Sequence, residues 1–149
     1  MSKWQEILSE YGKVSGLDGQ KMSKSYGNTI PVFAEGKELK KLINGIKTDS
    51  IPVGAAKDPN QSILFDLYSL FASVDEQVEM RQKFLDGIGY GDVKSEIIAK
   101  IDQKFGEARE ARKKLTTADA QDILYQGGRQ AACEASSTID EVRRVVGLR

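Results

Sequence analysis

The strongest constraint on the fold is a helical spacing of apolar residues that repeats from residue 37 to the end of the chain. Five stretches place an apolar side chain every three or four residues, and the two longest begin near Asp92 and Thr116. No stretch alternates apolar and polar residues beside a hairpin turn, as a half-buried strand would. We therefore predict an all-α fold, a helical bundle of about five helices whose apolar stripes pack against one another.

The composition along the chain divides it into three segments. Residues 1–14 place Trp4, Ile7 and Leu8 at helical spacing, which predicts a short amphipathic helix whose apolar side could support self-association. Residues 15–36 are rich in glycine and predict a loop, because glycine and proline interrupt regular structure. Residues 37–149 form the predicted helical domain.

The overall composition excludes several classes of protein. Among 149 residues, 22 are basic and 22 acidic, so any site for an anion must come from local clustering of charge. The absence of histidine removes Ser-His-Asp and Cys-His catalysis and most zinc chemistry, and we expect no metal site. The one cysteine, Cys133, cannot form a disulfide within the chain and is expected to be a small buried residue. No apolar run reaches the length of a membrane span, so we expect a cytoplasmic protein.

Lys21 and Lys24 are the first candidates for a functional site. They lie three residues apart in the glycine-flanked segment Lys21-Met22-Ser23-Lys24-Ser25, where two ammonium groups and two hydroxyls could converge on one polyphosphate. The two lysines could equally be solvated, since their spacing alone is common in surface loops. We expect Gly16–Gly27 to be poorly ordered or displaced when no counter-charge holds the lysines.

The pentapeptide resembles the KMSKS signature of class I aminoacyl-tRNA synthetases. The surrounding GLDGQKMSKSYGNTIPVF, residues 16–33, is similar to the version in bacterial tryptophanyl-tRNA synthetases. The similarity continues through TDSIPVGAAKDP, LFDLYSLFAS and GIGYGDVK, residues 48–59, 64–73 and 87–94. The resemblance identifies the chain as similar to the C-terminal part of such an enzyme, with a helical anticodon-binding domain after the KMSKS loop.

The resemblance implies two sets of site residues. In that family the loop helps to form an aminoacyl-adenylate from tryptophan and ATP, which brings Mg²⁺ with it. Lys21 and Lys24 would be catalytic, and the ATP-binding residues would be Lys21, Met22, Ser23, Lys24 and Ser25. The helical domain would bind the anticodon of tRNA(Trp) through Lys47, Asp49 and Lys94. Asp49 could accept a hydrogen bond from a cytosine amino group, although an aspartate in this position is also typical of a turn.

The sequence departs from the family in one large respect. The nucleotide-binding domain that would hold the tryptophan pocket does not precede Gly16, so we expect the isolated chain to be inactive as a tryptophan–tRNA ligase. Three interpretations stay open: the C-terminal portion of a synthetase, a free-standing synthetase-like RNA-binding or regulatory module, and a protein-interaction module without aminoacylation activity. Salt-sensitive binding of tRNA(Trp) would separate the second from the third.

Overall fold

The computed structural model describes residues 12–148, and these residues are all-helical. The five α-helices are α1 (Gly36–Asn44), α2 (Ile63–Ser69), α3 (Val74–Leu85), α4 (Tyr90–Lys114) and α5 (Thr117–Val145). Short 3-10 turns at Lys24–Tyr26 and Pro59–Gln61 precede α1 and α2, and the described residues contain no strand beyond one isolated bridge between Ser15 and Lys21. The predicted all-α fold is confirmed, whereas the amphipathic helix predicted for residues 1–14 falls largely outside the described residues.

The chain divides into two compact units, Met1–Glu107 and Ala108–Arg149. The first unit holds the apolar core, which is built from α1 to α4. The residues that are most completely buried there are Leu39, Ile43, Leu64, Leu67, Met80, Phe84, Val93 and Ile97. Each comes from the apolar side of an amphipathic helix, as the spacing predicts. The ring of Phe65 meets that of Phe84 edge to face at 5.8 Å, a preferred aromatic arrangement.

Local hydrogen bonds fix where α3 begins. The Ser73 hydroxyl accepts from the backbone N–H of Glu76, and the Glu76 carboxylate accepts from the backbone N–H of Ser73. This capping box satisfies two of the helix's otherwise unpaired donors and is worth about 1 kcal/mol. It also holds the turn after α2 close to the core.

The second unit contains the end of α4 and the whole of α5. Thr116 caps α5 with a reciprocal bond to Asp119, so the start of this helix is also encoded locally. No residue of α5 is buried, and Leu124 is 74% exposed. The apolar stripe of α5 is thus exposed in the described residues, and its predicted packing against the other helices stays a prediction. Cys133 lies on this helix and is exposed, which corrects the expectation that it is buried.

Candidate functional site

The two lysines of the KMSKS pentapeptide lie on a hydrogen-bonded loop, here called the lysine loop and defined as residues 14–28. Its backbone folds back on itself through bonds from Met22 N–H to the Val14 carbonyl at 2.8 Å and from Gly16 N–H to the Gln20 carbonyl at 2.7 Å. Gly19 has φ +83° and packs against Ile63, so the loop rests on the first residue of α2. The lysine loop thus has a hydrogen-bonded backbone conformation, and the expectation that Gly16–Gly27 is poorly ordered or displaced stays a prediction.

Lys21 and Lys24 both project from this loop into solvent. Lys24 begins the 3-10 turn Lys24–Tyr26, and the Ser23 hydroxyl caps that turn by accepting from the backbone N–H of Ser25. Within residues 12–148, neither lysine side chain forms an ion pair or a hydrogen bond. Met22 is half-buried between them. The loop therefore offers two ammonium groups to an outside anion without first having to break a salt bridge.

A second group of polar residues surrounds Asp49, in the turn after α1. Oδ1 of Asp49 accepts from the Tyr90 hydroxyl at 2.7 Å and from the backbone N–H of Ile51 at 3.0 Å. No bond to Oδ2 is formed by the described residues, so this oxygen is available to a ligand. Tyr90 and, less strongly, the Ile51 N–H lower the pKa of Asp49, because both hydrogen bonds favour the carboxylate.

Asp49 also lines a cavity of about 300 Å³ between the turn after α1 and the start of α4. Its polar walls include Lys47, Thr48, Gln61 and Ser62, and Tyr90 contributes an aromatic one. The cavity is partly open to solvent, and its walls are more polar than apolar. The structure thus brings Lys47 and Asp49 together.

Lys94 lies beside this cavity but does not line it. Its ammonium group donates to the carbonyls of Asn44 and Ile46, each at 2.9 Å. These carbonyls stand at the C-terminal end of α1, where the helix leaves acceptors unpaired and favours a positive charge. The geometry gives Lys94 a role in joining α1 to α4, with one of its three donors left over.

Replacing Tyr90 with phenylalanine is expected to raise the pKa of Asp49 toward its ordinary value, because the largest cause of the lowering is removed. A carboxyl whose folded pKa is depressed contributes stability above its unfolded pKa of about 3.9, and that stability is lost as the pH falls through the folded value. The Tyr90→Phe variant should therefore lose less stability as the pH falls from about 5 to about 2. NMR titration of the Asp49 carboxyl carbon measures the pKa directly. The same titration midpoint in Tyr90→Phe and in the unmodified chain would show that the Tyr90 hydrogen bond does not lower this pKa.

Comparison with known proteins places the whole arrangement in a family. The family described as "tRNA synthetases class I (W and Y)" matches residues 4–106, which is most of the chain. The chain belongs to the class I tRNA synthetases. The matched residues include the lysine loop and α1 to most of α4.

Curated relatives of this synthetase chain carry the name tryptophan–tRNA ligase. One from Pseudomonas syringae pv. tomato is 44% identical over 145 residues, which cover 96% of this chain and 32% of the relative. One from Rhodopirellula baltica is 44% identical over 147 residues, which cover 97% of this chain and 46% of the relative. The chain therefore spans between a third and a half of the length of these proteins.

A solved structure of tryptophanyl-tRNA synthetase from Campylobacter jejuni, complexed with ADP and tryptophan, has the same architecture as this synthetase chain. It superposes with a TM-score of 0.82 at 34% identity, covering 96% of this chain and 46% of that protein. The superposition supports the all-helical fold of the described residues. Within residues 12–148, no helix is long and apolar enough to cross a membrane, and no three metal-ligating side chains converge.

Sequence reasoning missed two residues that organise these sites in the synthetase chain. Tyr90 lies 41 positions from Asp49, and nothing local to either residue predicts their hydrogen bond. Asn28 is buried within the lysine loop, where it bonds to Asp18, Lys21 and Ser23. A buried asparagine at the end of a glycine-rich loop is a signal that could have found it, since buried polar side chains are almost always hydrogen-bonded.

Proposed function

We propose that this chain is the C-terminal part of a tryptophan–tRNA ligase, with the KMSKS loop for ATP phosphates and the helical domain that binds the tRNA anticodon. The observation that carries the proposal is the superposition of 96% of the chain on a tryptophanyl-tRNA synthetase. The matched segment covers less than half of that protein, and on this proposal the tryptophan pocket lies in the remainder. On this proposal the chain acts only together with a nucleotide-binding half and does not aminoacylate tRNA alone.

The exposed lysines suit the phosphate role. Lys21 and Lys24 carry compact positive charges with three donors each and are free of ion pairs within residues 12–148. When tryptophan attacks the α-phosphorus of ATP, negative charge moves onto the departing pyrophosphate. Lysines that contact this group more strongly as it departs lower the barrier to adenylate formation. Mg²⁺ would arrive with ATP.

The cavity beside Asp49 suits the recognition of an anticodon base. Single-stranded bases are read by stacking and by hydrogen bonds to their edges, and Tyr90 and Asp49 supply one partner of each kind. Because Tyr90 and Ile51 hold Oδ1, Oδ2 of Asp49 can accept from the N4 amino group of a cytosine. Lys47 and the third donor of Lys94 would contact phosphates or base edges nearby.

Binding of tRNA(Trp) to the chain tests the anticodon role. We expect salt-sensitive binding, with an affinity that Asp49→Ala lowers roughly tenfold, because one hydrogen bond to a charged group is lost. Fluorescence anisotropy with a labelled transcript, at two salt concentrations, measures this change. Lys94→Ala should also weaken binding.

Asp58→Ala is the matched control for Asp49→Ala. Asp58 is likewise exposed and accepts from the backbone N–H two residues ahead, that of Asn60 at 2.9 Å, and it does not itself line the cavity. Its other oxygen accepts from Gln61 Nε2 at 3.1 Å, so the variant also measures how much support of the Gln61 wall alone contributes. Tyr90→Phe removes the hydrogen bond from Tyr90 to Asp49 and keeps the carboxylate. It therefore separates the bond within the chain from the contact that Asp49 would make with RNA. Equal affinity for an unrelated tRNA, or equal losses in Asp49→Ala and Asp58→Ala, would remove the anticodon site from the proposal.

A further inference from the structure

Asn28 is the most highly connected polar residue of the lysine loop. Its side chain is 4% exposed, although the loop lies at the surface. Oδ1 accepts from the backbone N–H of Ser23 at 2.8 Å, and Nδ2 donates to Oδ1 of Asp18 at 2.7 Å and to the Lys21 carbonyl at 3.2 Å. One amide group is thus hydrogen-bonded to three other residues of the lysine loop, Asp18, Lys21 and Ser23.

The backbone of the loop is shaped to admit this side chain. A Cβ atom at Gly16 would lie 2.4 Å from Nδ2 of Asn28, so only glycine leaves room there. The Asn28 carbonyl in turn accepts from the backbone N–H of Leu17 at 3.1 Å. The main chain and the side chain of Asn28 therefore hold the same segment, residues 16–18, from two directions.

These bonds bracket the two lysines. The Lys21 carbonyl and the Ser23 N–H are both fixed by the Asn28 amide, and Ser23 is the residue that caps the turn beginning at Lys24. The backbone from Lys21 to Lys24 is consequently ordered before any ligand arrives. Ordering a segment in advance removes the conformational entropy that binding would otherwise cost.

We propose that Asn28 is a positioning residue that preorganises Lys21 and Lys24 for phosphate, so that the lysine loop grips its ligand as a preformed unit. The inference rests on the proposed phosphate role of the two lysines. Asn28 itself does not touch the ligand. Its effect on phosphate is exerted through the Ser23 N–H and the Lys21 carbonyl.

The test compares Asn28→Ala with the unmodified chain, using inorganic tripolyphosphate at low salt as the probe. We expect the affinity to fall about tenfold, corresponding to roughly 1.4 kcal/mol of lost preorganisation. NMR of the backbone amides follows the titration. Without ligand, hydrogen exchange of the Ser23 amide should accelerate in the variant, because its acceptor is gone. Asn60→Ala is the matched control, since Asn60 bonds to Arg81 outside the loop, and it should change neither quantity.

A double variant that exchanges Asp18 and Asn28 tests whether the effect of Asn28→Ala comes simply from loss of loop structure. Asp18→Asn combined with Asn28→Asp keeps the composition and net charge of the original chain. In this double variant the amide at position 18 can donate to the carboxylate at position 28, which can still accept from the Ser23 N–H. We expect it to recover part of the affinity lost in Asn28→Ala. If Asn28 positions the lysines, the tripolyphosphate affinity and the protection of the Ser23 amide from exchange should recover together in the double variant. A merely structural role would not link the two quantities.

The outcomes separate this inference from the proposed function. If Asn28→Ala accelerates Ser23 exchange and leaves tripolyphosphate affinity unchanged, Asn28 braces the loop without positioning the lysines and the inference is overturned. Unchanged exchange would overturn it as well. If the chain fails to bind tripolyphosphate, or the Lys21→Ala/Lys24→Ala double variant binds it as well as the unmodified chain does, the phosphate role itself fails, whatever Asn28 does to Ser23.

Discussion

Replacing Lys24 with alanine is expected to slow adenylate formation about 100- to 1,000-fold, the usual cost of removing one preorganised donor from a developing negative charge. The chain can be assayed by substituting it for the matched 145 residues of the Pseudomonas syringae relative, to which it is 44% identical. Tryptophan-dependent exchange of pyrophosphate into ATP then measures the rate. The loss should fall mainly on kcat, because the contact strengthens as pyrophosphate departs.

Lys37→Ala is the matched control for this experiment. Lys37 is an exposed lysine in the first turn of α1 and lies outside the lysine loop, so its removal changes the net charge by the same amount without touching the site. Equal losses in the two variants would assign the effect to overall charge. A folded but inactive chimera carrying the unmodified chain would contradict the proposed function as a whole.

The helices themselves were readable from the sequence because their signals are local. The helix predicted to begin near Asp92 is α4, Tyr90–Lys114, and the capping box that starts α3 joins Ser73 to Glu76, only three positions apart. Both signals depend on residues within one or two turns of each other. Such local signals can be recognised without knowledge of the tertiary structure.

What packs against α5 could not be predicted from the sequence in the same way. Its sequence carries an apolar stripe, and a stripe predicts that a helix will be covered, but it does not identify what covers it. The described residues leave Leu124 and Val145 exposed at 74% and 77%. The periodicity therefore predicted the helix correctly, whereas the packing of its apolar stripe stays a prediction.

In the candidate sites, too, the sequence predicted local features and missed contacts between residues far apart in the chain. The pentapeptide identified Lys21 and Lys24 but not Asn28, whose side-chain bonds reach back 5 to 10 residues within their loop. Asp49 was singled out without its partner Tyr90, because that contact depends on how α4 packs after the turn. Whether Lys47, Asp49 and Lys94 contact an anticodon stays a prediction.

Replacing Gly87 with alanine is expected to destabilise the first unit by about 2–5 kcal/mol, the sum of two separate costs. Gly87 has φ +86°, which costs a residue with a side chain roughly 1–2 kcal/mol. A Cβ atom there would also lie 2.5 Å from the carbonyl carbon of Gly54, and forcing backbone apart in a packed region costs about 1–3 kcal/mol more. The same approach allows the Gly54 N–H to donate to the Gly87 carbonyl at 2.8 Å, so the bond would be strained as well.

Gly54→Ala provides a control in which only the backbone strain is present. Gly54 has φ +85°, almost the same as Gly87, but a Cβ atom there would meet nothing within 4 Å. Urea denaturation should therefore show a loss of about 1–2 kcal/mol for Gly54→Ala and a clearly larger one for Gly87→Ala. Because this contact ties the turn after α3 to the segment that follows Asp49, the Gly87 variant should also weaken tRNA binding. Equal destabilisation by the two variants would show that the close approach of Gly54 and Gly87 contributes nothing beyond the backbone conformation.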